Sequence, residues 1–148
     1  MNEGQTIRLL IAEDNVADVL LMSEALRDLC SVPVQITTAA DGERALSLLT
    51  SGAQFDVVIL DLSLPKVSGF KVLEKYQPKY PPTVVFSSSW NEDDSKLALS
   101  LGACDFIRKP SMYDEYVEAV CGIVERWGSP NNADKALLRR REEQRSGS

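Results

Sequence analysis

The feature that most constrains the fold is a regular alternation of short apolar runs with amphipathic stretches along residues 7–126. The runs are rich in β-branched residues, which is typical of strands, and the stretches between them carry apolar residues at helical spacing. The predicted strands are 7–12, 34–37, 55–60, 83–86 and 105–107. The predicted helices are 15–29, a second that follows Asp41-Gly42 and ends near Ser51, then 67–76, 92–101 and 112–127.

Strict alternation of this kind predicts a parallel sheet with right-handed crossover connections. Five units are too few for an eight-stranded barrel, so the prediction is an α/β doubly wound three-layer sandwich. The nearly continuous apolar run 55–60 fits a central strand that helices cover on both faces. The length of 148 residues suits a single domain. In such sheets ligands bind beyond the carboxyl ends of the strands.

Composition narrows the function classes. A net charge of −6 argues against direct nucleic-acid binding, because a polyanion would be repelled. The chain has no apolar run long enough to span a bilayer, and its first residues do not resemble a signal peptide. We therefore expect a cytoplasmic protein that makes no membrane contact.

Two residue types limit the chemistry further. Histidine is absent, which excludes Ser-His-Asp and Cys-His nucleophile systems and histidine metal sites. Cys30, Cys104 and Cys121 form an odd set without CxxC spacing, so we expect neither a disulfide framework nor a zinc site. The three cysteines are interpreted as small buried hydrophobic residues.

Polar residues follow four of the predicted strands, where the carboxyl ends of parallel strands share one edge. They are Glu13 and Asp14 after the first strand, Asp61 after the third, Ser87, Ser88 and Ser89 after the fourth, and Lys109-Pro110 after the fifth. Three converging carboxylates repel one another unless positive charge lies among them. A hard divalent cation with oxygen ligands, Mg²⁺, together with one lysine would supply that charge.

Asp61 is the best candidate nucleophile, because it ends the most buried strand and an aspartyl carboxylate can attack a phosphoryl group. Mg²⁺ would bridge the phosphoryl oxygens, while Lys109 and the Ser87 hydroxyl would contact them. A simpler interpretation is that each acidic residue only caps a helix. It explains any one position, but it does not explain all four positions together.

The same residues resemble the response-regulator receiver domains of two-component signalling. The resemblance covers residues 7–127. The matching positions, in chain order, are Glu13-Asp14, the stretch from Leu60-Asp61 to Pro65, Gly69, Ser87, Gly102-Ala103 and Lys109-Pro110. It implies a five-stranded sheet of order 2-1-3-4-5, and self-catalysed phosphotransfer and autodephosphorylation rather than catalytic turnover. The donor it implies is a phosphohistidine on a sensor histidine kinase, which must be another protein because this chain lacks histidine.

By the same resemblance, Asp14 and Asp61 ligate Mg²⁺ directly, Glu13 acts through water, and Ser63 contributes its main-chain carbonyl. Ser87 and Phe106 are the implied switch residues. Ser88 stays open as the alternative switch hydroxyl, and an aromatic residue at position 106 is equally explained as core packing.

A narrower resemblance, carried by the stretch from Glu13 to Asp18, is to stand-alone receivers that partner phytochrome-type kinases. Asp18 either shapes the rim of the site or stabilises the helix dipole.

The predicted way in which the protein passes on its signal depends on the residues beside the receiver domain. The domain is predicted at residues 1–127, and residues 128–148 are a polar extension that is either disordered or docked on a partner. We expect the face made by the fourth helix, fifth strand and fifth helix, at 90–101 and 112–116, to bind a downstream protein or a second copy. The alternative function is a phosphorylation-independent pseudo-receiver that acts as a constitutive interaction module. A haloacid-dehalogenase-like phosphatase is disfavoured, because Ser63 stands where that class has an acid.

Overall fold

The computed structural model describes residues 6–77, 81–89 and 91–128 of the chain, in which strands and helices alternate. The strands are β1 (Ile7–Ala12), β2 (Val34–Ala39), β3 (Val57–Leu60), β4 (Thr83–Ser87) and β5 (Asp105–Arg108). The helices are α1 (Val16–Glu24), α2 (Gly42–Thr50), α3 (Gly69–Tyr76), α4 (Glu92–Ser100) and α5 (Tyr113–Trp127). A π-helical turn, Ala25–Leu29, continues α1.

The five strands form one parallel sheet in the order β2-β1-β3-β4-β5, which confirms the predicted architecture. The chain reverses its direction of winding between β1 and β3, so these neighbours lie at the topological switch point. Ala12 pairs with Leu60 across this junction. The residues that follow them, Glu13 and Asp61, therefore leave the sheet side by side.

Alternation along the strands divides the core into two layers. Leu9 and Ile11 of β1 face one layer, which contains the inner side of α5 and Met22 of α1. Leu10 and Ala12 face the other, which is built largely from α2, α3 and the buried Ala98 of α4. All four residues of β3 are buried, as predicted for a central strand.

Element bounds differ from the predictions by one or two residues in most places, and by more only at the end of α1. Strand β3 begins at Val57 instead of residue 55. Just before it, the Asp56 N–H donates to the Arg8 carbonyl at 2.7 Å and the Asp56 carboxylate accepts from the Arg8 main-chain N–H at 2.8 Å. The first predicted helix is α-helical only to Glu24, and the Cys30 N–H then reaches back five residues to the Ala25 carbonyl.

The prediction for the cysteines is wrong. Cys30 and Cys121 form a disulfide, with their Cα atoms 5.5 Å apart, and the half-buried Cys104 is not part of a disulfide. The partners lie 91 residues apart in sequence, so no local spacing reveals them. The bond joins the end of the π-helical turn to α5.

Within the described residues, no helix is both long and apolar enough to cross a membrane. The predicted extension 128–148 lies outside the described residues except for Gly128, which follows α5 and is buried. Trp90, at the start of the predicted interaction face, also lies outside them.

Candidate phosphoacceptor site

Three carboxylates meet at the carboxyl ends of β1 and β3. Glu13, Asp14 and Asp61 each place a carboxylate oxygen within 4.8 Å of the others. Glu13 is 3% exposed and Asp61 7% exposed, whereas Asp14 is open to solvent. The Asp61 N–H donates to the Ala12 carbonyl at 3.0 Å, which fixes the backbone of the two strands where the carboxylates emerge.

Lys109 brings positive charge to this cluster from the segment after β5. Its main-chain N–H donates to the Ser87 carbonyl at 2.7 Å, and its side chain is only 7% exposed. The ammonium donates to the Glu13 carboxylate and, at 3.0 Å, to the Asp18 carboxylate. The nitrogen also lies 6.0 Å from the centre of the Phe86 ring.

Burial and charge perturb the protonation equilibria of this pair. Burial, opposed by the bond from Lys109 and reinforced by the charge of Asp61, raises the pKa of Glu13 from 4.5 to about 7. Burial works to lower the pKa of Lys109, but the hydrogen bonds to Glu13 and Asp18 and the charges of Glu13 and Asp61 outweigh it, so the pKa is raised. Lys109 therefore stays an ammonium ion.

Sequence reasoning missed one member of the site and left another undecided. The Tyr116 hydroxyl, from α5, donates to the Asp18 carboxylate at 2.8 Å, and Tyr116 is buried. Burial, and then the bond to Asp18, raise the pKa of this phenol. Asp18 is thus part of the site, although its main-chain N–H also donates to the side-chain oxygen of Asn15, the N-cap of α1, at 3.0 Å. The sequence had drawn attention to Asp18 through the stretch from Glu13 to Asp18, but it carried no signal that Tyr116 belongs to the site.

The loop between β3 and α3 is held close against the candidate nucleophile. A Cβ on Gly69 would lie 2.5 Å from the Asp61 carbonyl oxygen, so only glycine allows this approach. The Gly69 N–H donates to the Leu62 carbonyl at 2.9 Å. Ser63, the predicted main-chain ligand, is exposed in this loop two residues after Asp61.

The two switch candidates differ in exposure. Ser87 is 1% exposed at the end of β4, whereas Ser88 is exposed. Ser88 lines an open cavity of about 820 Å³ with Lys109 and Tyr116. Phe106, on β5, is half-buried and packs against the core layer that contains α2 and α3.

The donor set suits a hard divalent cation. It offers carboxylate oxygens without thiolate or imidazole, and one of the three carboxylates is open to solvent. Within the described part of the chain, neither Asp14 nor Asp61 forms an ion pair, so their charges are left for a cation. Receiver domains bind Mg²⁺ at an acidic pocket of this kind.

Comparisons with known proteins agree with this geometry. The model of the response regulator receiver domain family matches residues 9–121. The response regulator SaeR of Staphylococcus epidermidis is 34% identical over 103 residues, covering 68% of this chain and 44% of that protein. The transcriptional regulatory protein CiaR of Streptococcus pneumoniae is 28% identical over 127 residues, covering 84% of this chain and 54% of that protein. The chain thus spans about half the length of these curated relatives.

Two solved structures are similar over most of this chain. One is the phosphorylated cyanobacterial phytochrome response regulator RcpA, with a TM-score of 0.74 and 35% identity over 83% of this chain and 94% of that one. The other is the Mn²⁺-bound form of response regulator Rcp1, with a TM-score of 0.73 and 27% identity over 84% of this chain and 96% of that one. The family match, the sheet order and the acidic cluster agree: this chain belongs to the response regulator receiver domains of two-component signalling.

Proposed function

We propose that this receiver domain accepts a phosphoryl group on Asp61 from a sensor histidine kinase in a Mg²⁺-dependent reaction and acts as a phosphorylation-switched response regulator. The observation that carries the proposal is the buried Asp61 carboxylate beside Glu13 and Asp14, with the Lys109 ammonium bonded to the same cluster. A carboxylate without an ion-pair partner in the described chain is available as a nucleophile.

In the proposed step an Asp61 carboxylate oxygen attacks the phosphorus of a phosphohistidine. The new P–O bond forms as the P–N bond breaks, and the imidazole leaves after taking a proton. Asp14 and Asp61 would ligate the metal directly, Glu13 through a water molecule, and Ser63 through its main-chain carbonyl. The bound cation would neutralise charge on the phosphoryl oxygens. Lys109 and the Ser87 hydroxyl would contact those oxygens, and hydrolysis of the acyl phosphate would return the protein to its starting state.

A phytochrome-type kinase is the partner that the comparisons favour. RcpA, named a phytochrome response regulator, is similar to this chain over 94% of its own length and 83% of this chain.

For the output, we propose that the face formed by α4, β5 and α5 binds a downstream protein or a second copy of this chain. Leu97 and Leu99 of α4, and Met112 and Tyr113 at the start of α5, are large apolar side chains exposed there.

The experiment is phosphorylation by a small donor followed by intact-protein mass spectrometry. With acetyl phosphate and Mg²⁺, the wild type should gain one phosphoryl group and Asp61→Asn none, because an amide keeps the shape but is not a nucleophile. Asp93→Asn, an exposed acidic residue on α4, is the matched control and should be labelled like the wild type. A folded wild type that stays unlabelled would instead support the pseudo-receiver function.

Transfer from a kinase is tested separately. A phosphorylated phytochrome-type kinase should lose its phosphoryl group to the wild type and not to Asp61→Asn. A kinase with an unrelated sensor, used at the same concentration, measures the specificity. Equal transfer from both kinases would remove the phytochrome link but leave phosphoryl acceptance intact.

A further inference from the structure

Lys109 also forms a hydrogen bond outside the cluster of Glu13, Asp14 and Asp61. An ammonium group has three N–H donors in a fixed tetrahedral arrangement. One donates to Glu13 and a second donates to Asp18 at 3.0 Å, which leaves a single donor whose direction is set by the first two. The remaining donor is the one available to an oxygen on Asp61.

Asp18 is itself held in place. Its second carboxylate oxygen accepts from the Tyr116 hydroxyl at 2.8 Å, so the carboxylate bridges the ammonium and the phenol. The Tyr116 ring packs edge to face on Phe86, with centroids 5.4 Å apart at an interplanar angle of 60°. Phe86 also lies beneath the Lys109 ammonium. The residues on both sides of the Asp18 carboxylate thus rest on one buried aromatic ring.

We propose that Asp18 and Tyr116 are positioning residues for Lys109, which direct its free N–H donor toward the phosphoryl group on Asp61. This inference rests on the proposed function and adds two residues to it. Neither residue touches the phosphoryl group in this scheme, and both act through Lys109. Because Tyr116 belongs to α5, the same chain of contacts makes α5 sensitive to the position of Lys109.

The structure favours positioning over a purely structural role. An acidic residue in the first helical turn that only stabilised the helix dipole could do so while exposed to solvent. The Asp18 side chain is instead four-fifths buried, and its carboxylate accepts hydrogen bonds from two donors. A buried phenol that lost its acceptor would be unsatisfied, so Tyr116 and Asp18 depend on each other. Effects of removing them should therefore be non-additive.

The test compares Asp18→Asn, Tyr116→Phe and the double variant with the wild type. Readouts are the rate of labelling by acetyl phosphate, the affinity for beryllofluoride in the presence of Mg²⁺, and the Lys109 ammonium resonance in nitrogen NMR. We expect Asp18→Asn to lower both the rate and the affinity roughly threefold or more. Tyr116→Phe should act in the same direction, and the double variant should be no worse than Asp18→Asn. The Lys109 resonance should shift in every variant, which a change in stability alone would not cause.

Controls separate this proposal from the proposed function. Asp28→Asn in the π-helical turn replaces an exposed residue of the same type as Asp18 and should match the wild type. Asp18→Glu restores a carboxylate and should recover part of the lost affinity. Variants that match the wild type in all three readouts, or that bind beryllofluoride more tightly, would overturn the positioning role. An unlabelled wild type would instead contradict phosphoryl acceptance itself.

Discussion

Glu13 and Asp61 lie side by side because Ala12 and Leu60, the residues before them, are register partners in β1 and β3. The two carboxylates are buried and close together, so their negative charges repel, and the charge of Asp61 helps to raise the pKa of Glu13. The sheet register thus brings together like charges whose repulsion a divalent cation would relieve. This relationship leads to the first two predictions.

Asp14→Ala should abolish labelling by acetyl phosphate while leaving the metal-free protein at least as stable as the wild type. Removing one of three clustered carboxylates relieves repulsion when no cation is present. Mg²⁺ should raise the melting temperature of the wild type and not that of the variant, since ligand binding stabilises only a protein that has the site. Thermal melts in EDTA and in Mg²⁺ measure both effects, with Asp93→Ala as the control. A large loss of stability in EDTA would mean that Asp14 is structural.

The raised pKa of Glu13 predicts how stability depends on pH. A carboxyl whose pKa is higher in the folded state binds its proton more tightly there, so its contribution to stability is fully present below about 4.5 and is lost as pH rises through about 7. Glutamine has no such titration. In EDTA, the stability of Glu13→Gln relative to the wild type should therefore increase between these pH values. Denaturant melts at several pH values test this, and a difference that does not change with pH would contradict the buried, destabilised carboxylate.

Sequence reasoning reached the part of the site that strand topology brings together. Glu13, Asp14, Asp61 and Lys109 follow strands, and the carboxyl ends of parallel strands must meet, so their convergence could be predicted before any side chain was placed. Tyr116 could not be found in this way. It contacts Asp18 across 98 positions through two helix faces, and helical periodicity identifies a buried tyrosine without identifying its hydrogen-bond partner.

The disulfide was missed for a related reason. Cys30 follows the π-helical turn and Cys121 lies within α5, and only the packing of these two elements brings the cysteines together. The sequence shows an odd count without paired spacing, which is typical of free thiols.

Thiol counting tests the disulfide directly. Unfolded protein that has been isolated in air should react with an alkylating agent at one cysteine, Cys104, before reduction and at all three after it. Because the bond closes a loop of about 90 residues, reduction should lower stability by roughly 2–4 kcal/mol. Cys30→Ser should show the lower stability with or without reductant, and Cys104→Ser should match the wild type. Three reactive thiols before reduction would show that the pair is a dithiol.

The last prediction concerns how a phosphoryl group on Asp61 would change the surface. The modification adds about −1.5 to −2 charges and new acceptor oxygens, and the buried Ser87 hydroxyl at the end of β4 is the donor we expect to turn toward them. Movement of Ser87 would open space for Phe106, which is only half-buried on the neighbouring β5. Beryllofluoride should therefore shift amide resonances at 91–101 and 112–116 in the wild type. Ser87→Ala should lose most of these shifts, whereas the exposed Ser88→Ala should keep them.

Sedimentation of the same samples distinguishes the two partners proposed for this face. If the partner is a second copy of this chain, dimers should form in beryllofluoride. Leu97→Asp should prevent them, because a charge would replace an exposed apolar side chain on α4. If the partner is a downstream protein, the chain should stay monomeric in beryllofluoride while the amide resonances at 91–101 and 112–116 still shift. Such a conclusion requires two states that make different contacts. Shifts confined to residues around Asp61, with 91–101 and 112–116 unchanged, would falsify the switch and leave phosphoryl acceptance untouched.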